Sequence, residues 1–430
     1  MKKVIKNLFL LSFFGISLLA SSDKVDFSIS EKYQGLSSEI FKNISSHHYT
    51  REIDEESFNN LYIEALLEEL DGNKNLFLSY EIRSFKRKST NYKKNRENFD
   101  INLAYEILNT YFNRVIEISE YQIKLAKKDS FNLSIDEDID IFYDDNEYAS
   151  SMLELKERWR KTTKNDFIVS VLAKDEEDEI ISNLTNRYER RIKRVLQRKD
   201  EDIFLLAINI MTRQFDPHST YLSPYNAEDF EIDMSLKLGG IGALLSNSAT
   251  EDYSIIVSLV PGGPAEKNGE LYPNDKIVKI KQHNKDIFED VTGWRIDEVV
   301  QKVRGEPQTF VTLEVIPGDA EDNSIRKIVE IEREIVELEE RAAKSKIYSL
   351  NKNGNEYKIG IIDLPSFYLD FEAWQARDPN YKSSSRDVKN ILEEFKKQSV
   401  DAVLVDLRNN SGGALTCLLY TSDAADESVC

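Results

Sequence analysis

The residues best suited to chemistry in this sequence form a short loop near its C-terminal end. The apolar, β-branched run Val403–Val405 is typical of a buried strand, and polar residues followed by Gly412 and Gly413 come after it before the sequence turns apolar again. This order predicts a strand, a tight loop and the start of a helix. Backbone amides in such a loop point outward, and the helix dipole adds positive potential. Because glycine lets a substrate approach the backbone closely, we predict that Gly412 and Gly413 form an oxyanion hole for acyl transfer.

Ser411, which precedes this glycine pair, has two chemical interpretations. Asn-Ser-Gly-Gly is similar to the nucleophile loop of trypsin-like proteases, which would make Ser411 the attacking residue. In the other interpretation, Ser411 is a loop residue beside an oxyanion hole and the nucleophile lies elsewhere. We favour the second, because Asn409 stands where trypsin-like loops carry glycine and the four histidines are poorly supported as partners. Taken alone, the loop would fit an ordinary strand-to-helix turn.

The chain is long and acidic. Its 430 residues are too many for one hydrophobic core, so about two to four domains are expected. The formal net charge of -20 disfavours nucleic-acid binding, because contacts to phosphate require a basic face.

Residues 1–20 have the pattern of a secretory signal peptide. Lysines precede an apolar stretch, Leu8–Leu19, which is too short to span a bilayer, and small residues suited to cleavage follow it. No cysteine stands where a lipoprotein would be acylated, and no other segment is apolar enough to span a membrane. We therefore expect export to the periplasm in soluble form. Cys417 and Cys430 are the two cysteines of the chain, so the preceding fold needs no disulfide.

Residues 21–225 show a helical pattern. Glycine and proline are nearly absent between positions 71 and 214, and apolar residues recur at helical spacing, as at Ile63, Leu66, Leu67 and Leu70. The segment Asp71–Asn75 begins like a calcium-binding loop. An EF-hand needs glycine at its sixth position and glutamate at its twelfth, where this chain has Leu76 and Ile82. We therefore predict a turn that ends a helix and no metal.

The pattern changes twice after the helical region. Residues 226–320 predict a small αβ domain, with strands at 255–260, 276–280 and 309–316, a short helix from 264 and another helix at 297–303. Residues 321–416 predict strands at 325–336, 358–364 and 400–405, with a helix around 388–395 between the last two. A β–α–β order of this kind indicates the start of an α/β domain.

Several motifs together resemble the C-terminal-processing, or tail-specific, proteases of peptidase family S41, which are periplasmic Ser/Lys peptidases with a PDZ domain. They are Phe-Asp-Pro-His-Ser-Thr-Tyr-Leu-Ser-Pro at 215–224, Leu-Gly-Gly-Ile-Gly-Ala at 238–243, Gly-Pro-Ala at 263–265, Asn-Asp-Lys-Ile at 274–277, Gly-Trp-Arg at 293–295 and the loop at 406–416, with a weaker match at 70–78. Each motif is weak by itself. Their order and spacing over about half the chain carry the resemblance.

The resemblance implies a multidomain α+β protein. Residues 21–225 would form a helical N-terminal domain, residues 226–320 a PDZ-like domain, and residues 321–416 the first part of an α/β protease domain of the ClpP/crotonase-like type.

The resemblance also implies a peptide-binding site. Gly240, Ile241, Gly242 and Ala243 stand where the family has its carboxylate-binding loop, whose amides hold the C-terminal carboxylate of a peptide that adds a strand to the sheet edge. The last side chains of that peptide would enter an apolar pocket, for which the candidates are Ile241, Leu244, Val299 and Val303. A glycine-rich turn flanked by aliphatic core residues is the alternative.

The implied activity is that of a serine-type endopeptidase with a Ser/Lys dyad and no metal or other cofactor. It would bind protein substrates with apolar C-termini and cleave envelope proteins, and its helical domain would dock a substrate or an outer-membrane lipoprotein adaptor.

The resemblance is expected to stop at Thr416. Residues 417–430 show no family pattern and are therefore predicted to be a foreign tail on an N-terminal fragment. The family's catalytic Ser and Lys come later in the chain, and Lys344 and Lys346 do not match that Lys. We expect this polypeptide not to cleave peptides, although its full-length parent would. Two alternatives remain, a non-catalytic PDZ adaptor and a trypsin-like protease that uses Ser411. The second is disfavoured because the PDZ-like region comes first.

Overall fold

The computed structural model describes residues 24–49, 55–90, 101–127, 131–139, 147–173, 177–248 and 251–419. The predicted signal peptide at 1–20 and all but the first three residues of the predicted tail at 417–430 lie outside these ranges. The chain divides into two compact units, one ending at Tyr221 and the other beginning at Leu222.

The described part of the first unit is helical, as predicted. Its helices are α1 (Glu31–His47), α2 (Glu55–Asp71), α3 (Ser79–Thr90), α4 (Asn102–Ala126), α5 (Met152–Leu172), α6 (Glu177–Leu196) and α7 (Asp200–Thr212). Their apolar faces meet in one main core, in which Leu66, Leu108 and Ala207 are fully buried. None of the helices in the described ranges is long and apolar enough to cross a membrane.

Asp71 turns the chain at the end of α2. Its carboxylate accepts hydrogen bonds from the backbone amides of Asn75, Leu76 and Phe77 at 2.7, 2.9 and 2.8 Å. The indole of Trp159 donates to the carbonyl of Asn75 at 2.7 Å, which fixes the loop against α5. Burial raises the pKa of the Asp71 carboxyl, although the three amides act in the opposite direction. The segment that begins like a calcium loop is therefore a turn built on its own aspartate.

The second unit begins with α8 (Pro224–Ser235) and continues into the predicted αβ domain. Its strands are β1 (Lys237–Gly240), β2 (Ala243–Asn247), β3 (Ser254–Leu259), β4 (Lys276–Gln282), β5 (Glu289–Asp290), β6 (Phe310–Ile316) and β7 (Lys327–Glu332), and its helices are α9 (Pro264–Asn268) and α10 (Ile296–Val303). The sheet has the order β2-β3-β4-β6-β7, with β5 paired to β4, so β2 is an edge strand. Helix α10 packs on this sheet, and its Val299 is fully buried with Ile256 and Leu313.

The strand expected at 325–336 is divided between two sheets. β7 pairs with β6, whereas β8 (Glu334–Glu337) pairs antiparallel with β1 in a separate two-stranded ribbon. Val329 and Ile331, two alternate residues of β7, belong to the same buried core as Val299 of α10. The sheet that begins in the predicted PDZ-like domain therefore includes β7 and extends to Glu332.

The remaining described residues form the predicted β–α–β arrangement. β9 (Lys344–Lys352) and β10 (Asn355–Asp363) form an antiparallel hairpin, α11 (Phe371–Gln375) and α12 (Ser384–Lys397) follow, and β11 (Ala402–Asp406) pairs parallel to β10. Parallel neighbours need a crossover, and α12 provides it. Helix α12 buries Val388, Leu392 and Phe395, and this packing places the end of β11 beside the segment that follows β10.

Candidate functional site

The glycine loop follows β11 and is tied to the segment after β10. The Asn410 side chain donates to the Leu364 carbonyl at 2.7 Å, and the Ser411 amide donates to the Pro365 carbonyl at 3.0 Å. Phe367 then pairs with the loop in both directions: its amide donates to the Gly412 carbonyl and its carbonyl accepts from the Ala414 amide, each at 2.8 Å. These bonds make the loop a fixed part of the fold.

The two glycines of this loop differ in their surroundings. Gly413 has φ +139°, and a Cβ atom there would lie 2.3 Å from the Phe367 carbonyl oxygen, so only glycine fits. Gly412 has φ +86° but has open space where its Cβ would be. The Gly412 amide donates to the Asn410 side-chain oxygen at 2.8 Å, whereas the Gly413 amide has no acceptor among the described residues. Both glycines are exposed, which leaves the Gly413 amide available to an incoming oxygen.

Ser411 does not lie in a catalytic triad formed by the described residues. Its hydroxyl is directed at the Pro365 carbonyl at 3.5 Å, the limit of a hydrogen bond, and neither histidine nor lysine contacts it there. Nearby, the Arg408 guanidinium lies 2.6 Å from Asp406 and lowers the pKa of that carboxyl to about 2. The geometry therefore favours the interpretation of Ser411 as a loop residue.

Residues at the start of the predicted tail continue the fold after this loop. A helix begins at Leu415, and the Leu418 amide donates to the Ala414 carbonyl at 3.1 Å. Cys417 is buried, and its thiol lies 3.4 Å from the Tyr368 carbonyl. Burial raises the pKa of the Tyr368 phenol, which donates to Asp387 at 2.5 Å. Cys417 therefore packs as part of this core.

A groove of about 520 Å³ lies beside the edge strand β2 in the second unit. Six of the seven residues predicted for peptide binding line it: Gly240, Ile241, Gly242, Ala243, Leu244 and Val303. Leu244 is 54% exposed and faces the groove, while Ile241 is buried at its base. Most of the residues that the sequence suggested for peptide binding therefore lie together along one side of this groove.

Val299 is the residue that the structure places elsewhere. Its side chain is fully buried in the core between α10 and the sheet, and it is not among the residues that line the groove. Val300, the next residue on α10, lines the groove with Val303. The difference arises because consecutive residues of a helix point about 100° apart, so Val299 points into the core and Val300 lines the groove, while Val303 belongs to both.

The backbone around Gly242 has amide groups that do not donate to an acceptor among the described residues. The Ile241 and Gly242 carbonyls accept from the Ala265 and Val260 amides, each at 2.8 Å. The amides of Ile241 and Gly242 have no acceptor among the described residues, although both residues are buried. A buried amide without a partner is costly, so this loop is prepared for an acceptor such as a carboxylate.

Sequence reasoning missed the polar side of the groove. Helix α8 contributes Asp229 and Asp233, which pair with Arg304 at 2.5 Å and with Arg341 at 2.6 Å, and all four residues line the groove. Burial raises the pKa of the Tyr225 phenol, and Asp229 adds to the rise. These partners are far apart in the chain, so no local motif could have revealed them.

Three protein-family models match the chain. The tail specific protease N-terminal domain matches residues 40–225, the PDZ domain matches residues 229–316, and peptidase family S41 matches residues 358–427. The last match continues beyond Thr416, where the sequence alone predicted that the resemblance stops.

The curated relatives match this chain over only part of their own length. A tail-specific protease of Haemophilus influenzae is 32% identical over 390 residues, which are 90% of this chain and 53% of that protein. A chloroplastic carboxyl-terminal-processing peptidase 3 of Arabidopsis thaliana is 26% identical over 200 residues, 46% of this chain and 34% of that protein. The chain thus spans about half, or less, of the length of these relatives.

Among solved structures, the PDZ domain of a carboxy-terminal protease from Vibrio cholerae, in complex with peptide, is 40% identical. The match covers 23% of this chain and 97% of the solved PDZ domain, with a TM-score of 0.21.

Proposed function

Because the chain belongs to the tail-specific, PDZ-containing proteases of peptidase family S41, we propose that its groove captures the apolar C-terminal end of a protein substrate. The peptide adds a strand to the free edge of β2 and places its last side chains against Val300 and Val303. The observation that carries this proposal is the pair of amides at Ile241 and Gly242, two buried residues at the end of the groove, for which the described part of the chain provides no acceptor.

The reaction proposed for the full-length parent is hydrolysis of envelope proteins in the periplasm by a Ser/Lys dyad. We propose that the Gly413 amide donates to the oxyanion that forms on the attacked carbonyl, since Gly413 is exposed and its amide has no acceptor among the described residues. Gly412 holds the loop in shape through its bond to Asn410. We assign neither nucleophile nor base to residues 1–416, so this polypeptide is expected to bind without cleaving.

A binding experiment tests the capture of C-termini. A fluorescent peptide that ends in an apolar residue with a free carboxylate should bind the purified chain, and its C-terminally amidated form should bind at least roughly tenfold more weakly, because the amide cannot accept charge-assisted bonds from the loop. Equal binding of the two peptides would refute carboxylate recognition.

A cleavage experiment tests the catalytic part. The same peptide is incubated with this chain and, as a positive control, with the Haemophilus influenzae protease. Turnover by the control alone is expected. Turnover by this chain as well would contradict the expectation that these residues hold no catalytic pair.

A peptide-binding adaptor is the second candidate function, because the groove lies wholly within the described residues while Ser411 there contacts only a backbone carbonyl. A longer chain that includes a Ser/Lys pair and cleaves the peptide would decide for the protease.

A further inference from the structure

The groove that would bind a carboxylate is itself rich in carboxylates. Its lining includes Asp229, Asp233, Glu337, Glu339 and Glu340, against two guanidinium groups. The C-terminal end of α10 also lies here, and the negative end of a helix dipole repels an anion. An incoming chain terminus therefore needs a nearby cation in addition to backbone amides.

Arg304 is the cation that meets this need. It follows α10 directly, and its Cα and Cγ atoms lie 3.7 and 3.8 Å from the position that a Cβ on Gly240 would occupy. Its side chain is only 21% exposed, so its charge is partly shielded from water. The stem of Arg304 thus lies beside Gly240, the first residue of the predicted carboxylate loop.

The Arg304 guanidinium is paired with a carboxylate of α8. Arg304 Nη1 lies 2.5 Å from Asp229 Oδ1 on α8. Arginine binds protein and peptide carboxylates with the same planar geometry, so a peptide terminus and Asp229 are chemically equivalent partners for it.

We propose that the terminal carboxylate of a captured chain replaces Asp229 as the partner of Arg304. This inference rests on the proposed capture of C-termini, and it makes Arg304 a specificity-determining residue and Asp229 an internal competitor. The exchange removes one of the two ion pairs that join α8 to the opposite side of the groove.

The neighbouring pair Asp233–Arg341 provides a matched control. Asp233 lies one turn further along the same helix and also lines the groove, but its partner Arg341 is 57% exposed and follows β8, away from Gly240. Changing Asp233 removes one carboxylate from the same wall without releasing Arg304.

The test is a set of affinities for the free-acid and amidated peptides, measured with the full chain. Asp229→Asn should tighten binding of the free acid roughly three- to tenfold, because the internal competitor is lost. Arg304→Gln should weaken the free acid roughly tenfold or more and remove most of the preference over the amide. In the Arg304→Gln background, the gain from Asp229→Asn should fall to that of Asp233→Asn, which measures the loss of one groove carboxylate without release of Arg304.

The outcomes separate this inference from the proposed function. A wild-type chain that binds both peptides equally would overturn both. A chain that prefers the free acid but gains no more from Asp229→Asn than from Asp233→Asn would overturn the exchange alone. Misfolding of Arg304→Gln cannot mimic the result, since the decisive observation is a gain of affinity in Asp229→Asn.

Discussion

Gly413→Ala should open the glycine loop, because the new methyl group meets backbone atoms. The added Cβ would lie 2.3 Å from the Phe367 carbonyl oxygen and 2.7 Å from its carbonyl carbon. Neither atom can rotate away as a side chain could. The segment containing Phe367 and the loop must therefore separate, which breaks the two hydrogen bonds that Phe367 makes to Gly412 and Ala414.

The size of the effect follows from these contacts. Each lost backbone hydrogen bond costs about 1 kcal/mol net, and an alanine at φ +139° adds about 1–3 kcal/mol of backbone strain. We therefore expect the local free energy of opening to fall by about 3–5 kcal/mol. A decrease of this size raises the exchange rate of the protected Phe367 and Ala414 amides by roughly a hundredfold or more.

Gly412→Ala is the matched control. It also places alanine at a positive φ, but nothing lies within 4 Å of the new Cβ. Its cost should be limited to about 1–2 kcal/mol of backbone strain. Hydrogen exchange with mass spectrometry of peptides covering residues 360–370 and 410–418 measures both variants. Equal exchange in the two variants, or unchanged exchange in Gly413→Ala, would refute the argument that close backbone packing fixes this loop.

Three further predictions follow from buried groups. Val299→Ala should lower the free energy of unfolding by about 2 kcal/mol by leaving a core cavity, whereas Val300→Ala should mainly weaken peptide affinity; denaturant titration and peptide anisotropy separate the two. Arg333→Met should loosen the end of α10, because the buried guanidinium bonds to two carbonyls there, and peptide affinity should fall even in a variant that still unfolds cooperatively. Burial raises the pKa of Asp71 above its unfolded value. Between the unfolded and the folded pKa, the folded state therefore binds more protons than the unfolded state. Its stability should decline as pH rises from about 3.9 through the folded pKa, and Asp71→Asn should remove that part of the pH dependence in thermal unfolding.

Local patterns predicted the parts of this fold that local forces decide. Helical spacing at residues such as Leu66 indicated the N-terminal helices, and the apolar run before the loop indicated the strand β11. The burial expected for that strand was wrong, because β11 is an edge strand of its sheet among the described residues and leaves Val403 and Leu404 exposed. Gly242 predicted a backbone segment that lines the groove, and Gly413 lies in a segment that packs closely against another backbone. Each of these patterns involves residues that are close together in the sequence, so periodicity and turn chemistry reveal it.

The rest depended on packing between distant segments. The sequence could not show which of Val299 and Val300 faces the groove, since both fit an apolar face and only the rotation of α10 on the sheet decides. It also could not pair Arg304 with Asp229 on α8, because no spacing rule joins residues that far apart. The continuation of the sheet through β7 was missed for the same reason, since its partner strand is a matter of tertiary pairing.

The most direct measurement of the central claim is hydrogen exchange at residues 238–245 with and without peptide. A free-acid peptide with an apolar end should slow exchange of the Ile241 and Gly242 amides, because both gain a carboxylate acceptor, and the amidated peptide at the same concentration should have little effect. Slowing that is absent, or identical for the two peptides, would contradict the assignment of this loop as the site that captures chain termini.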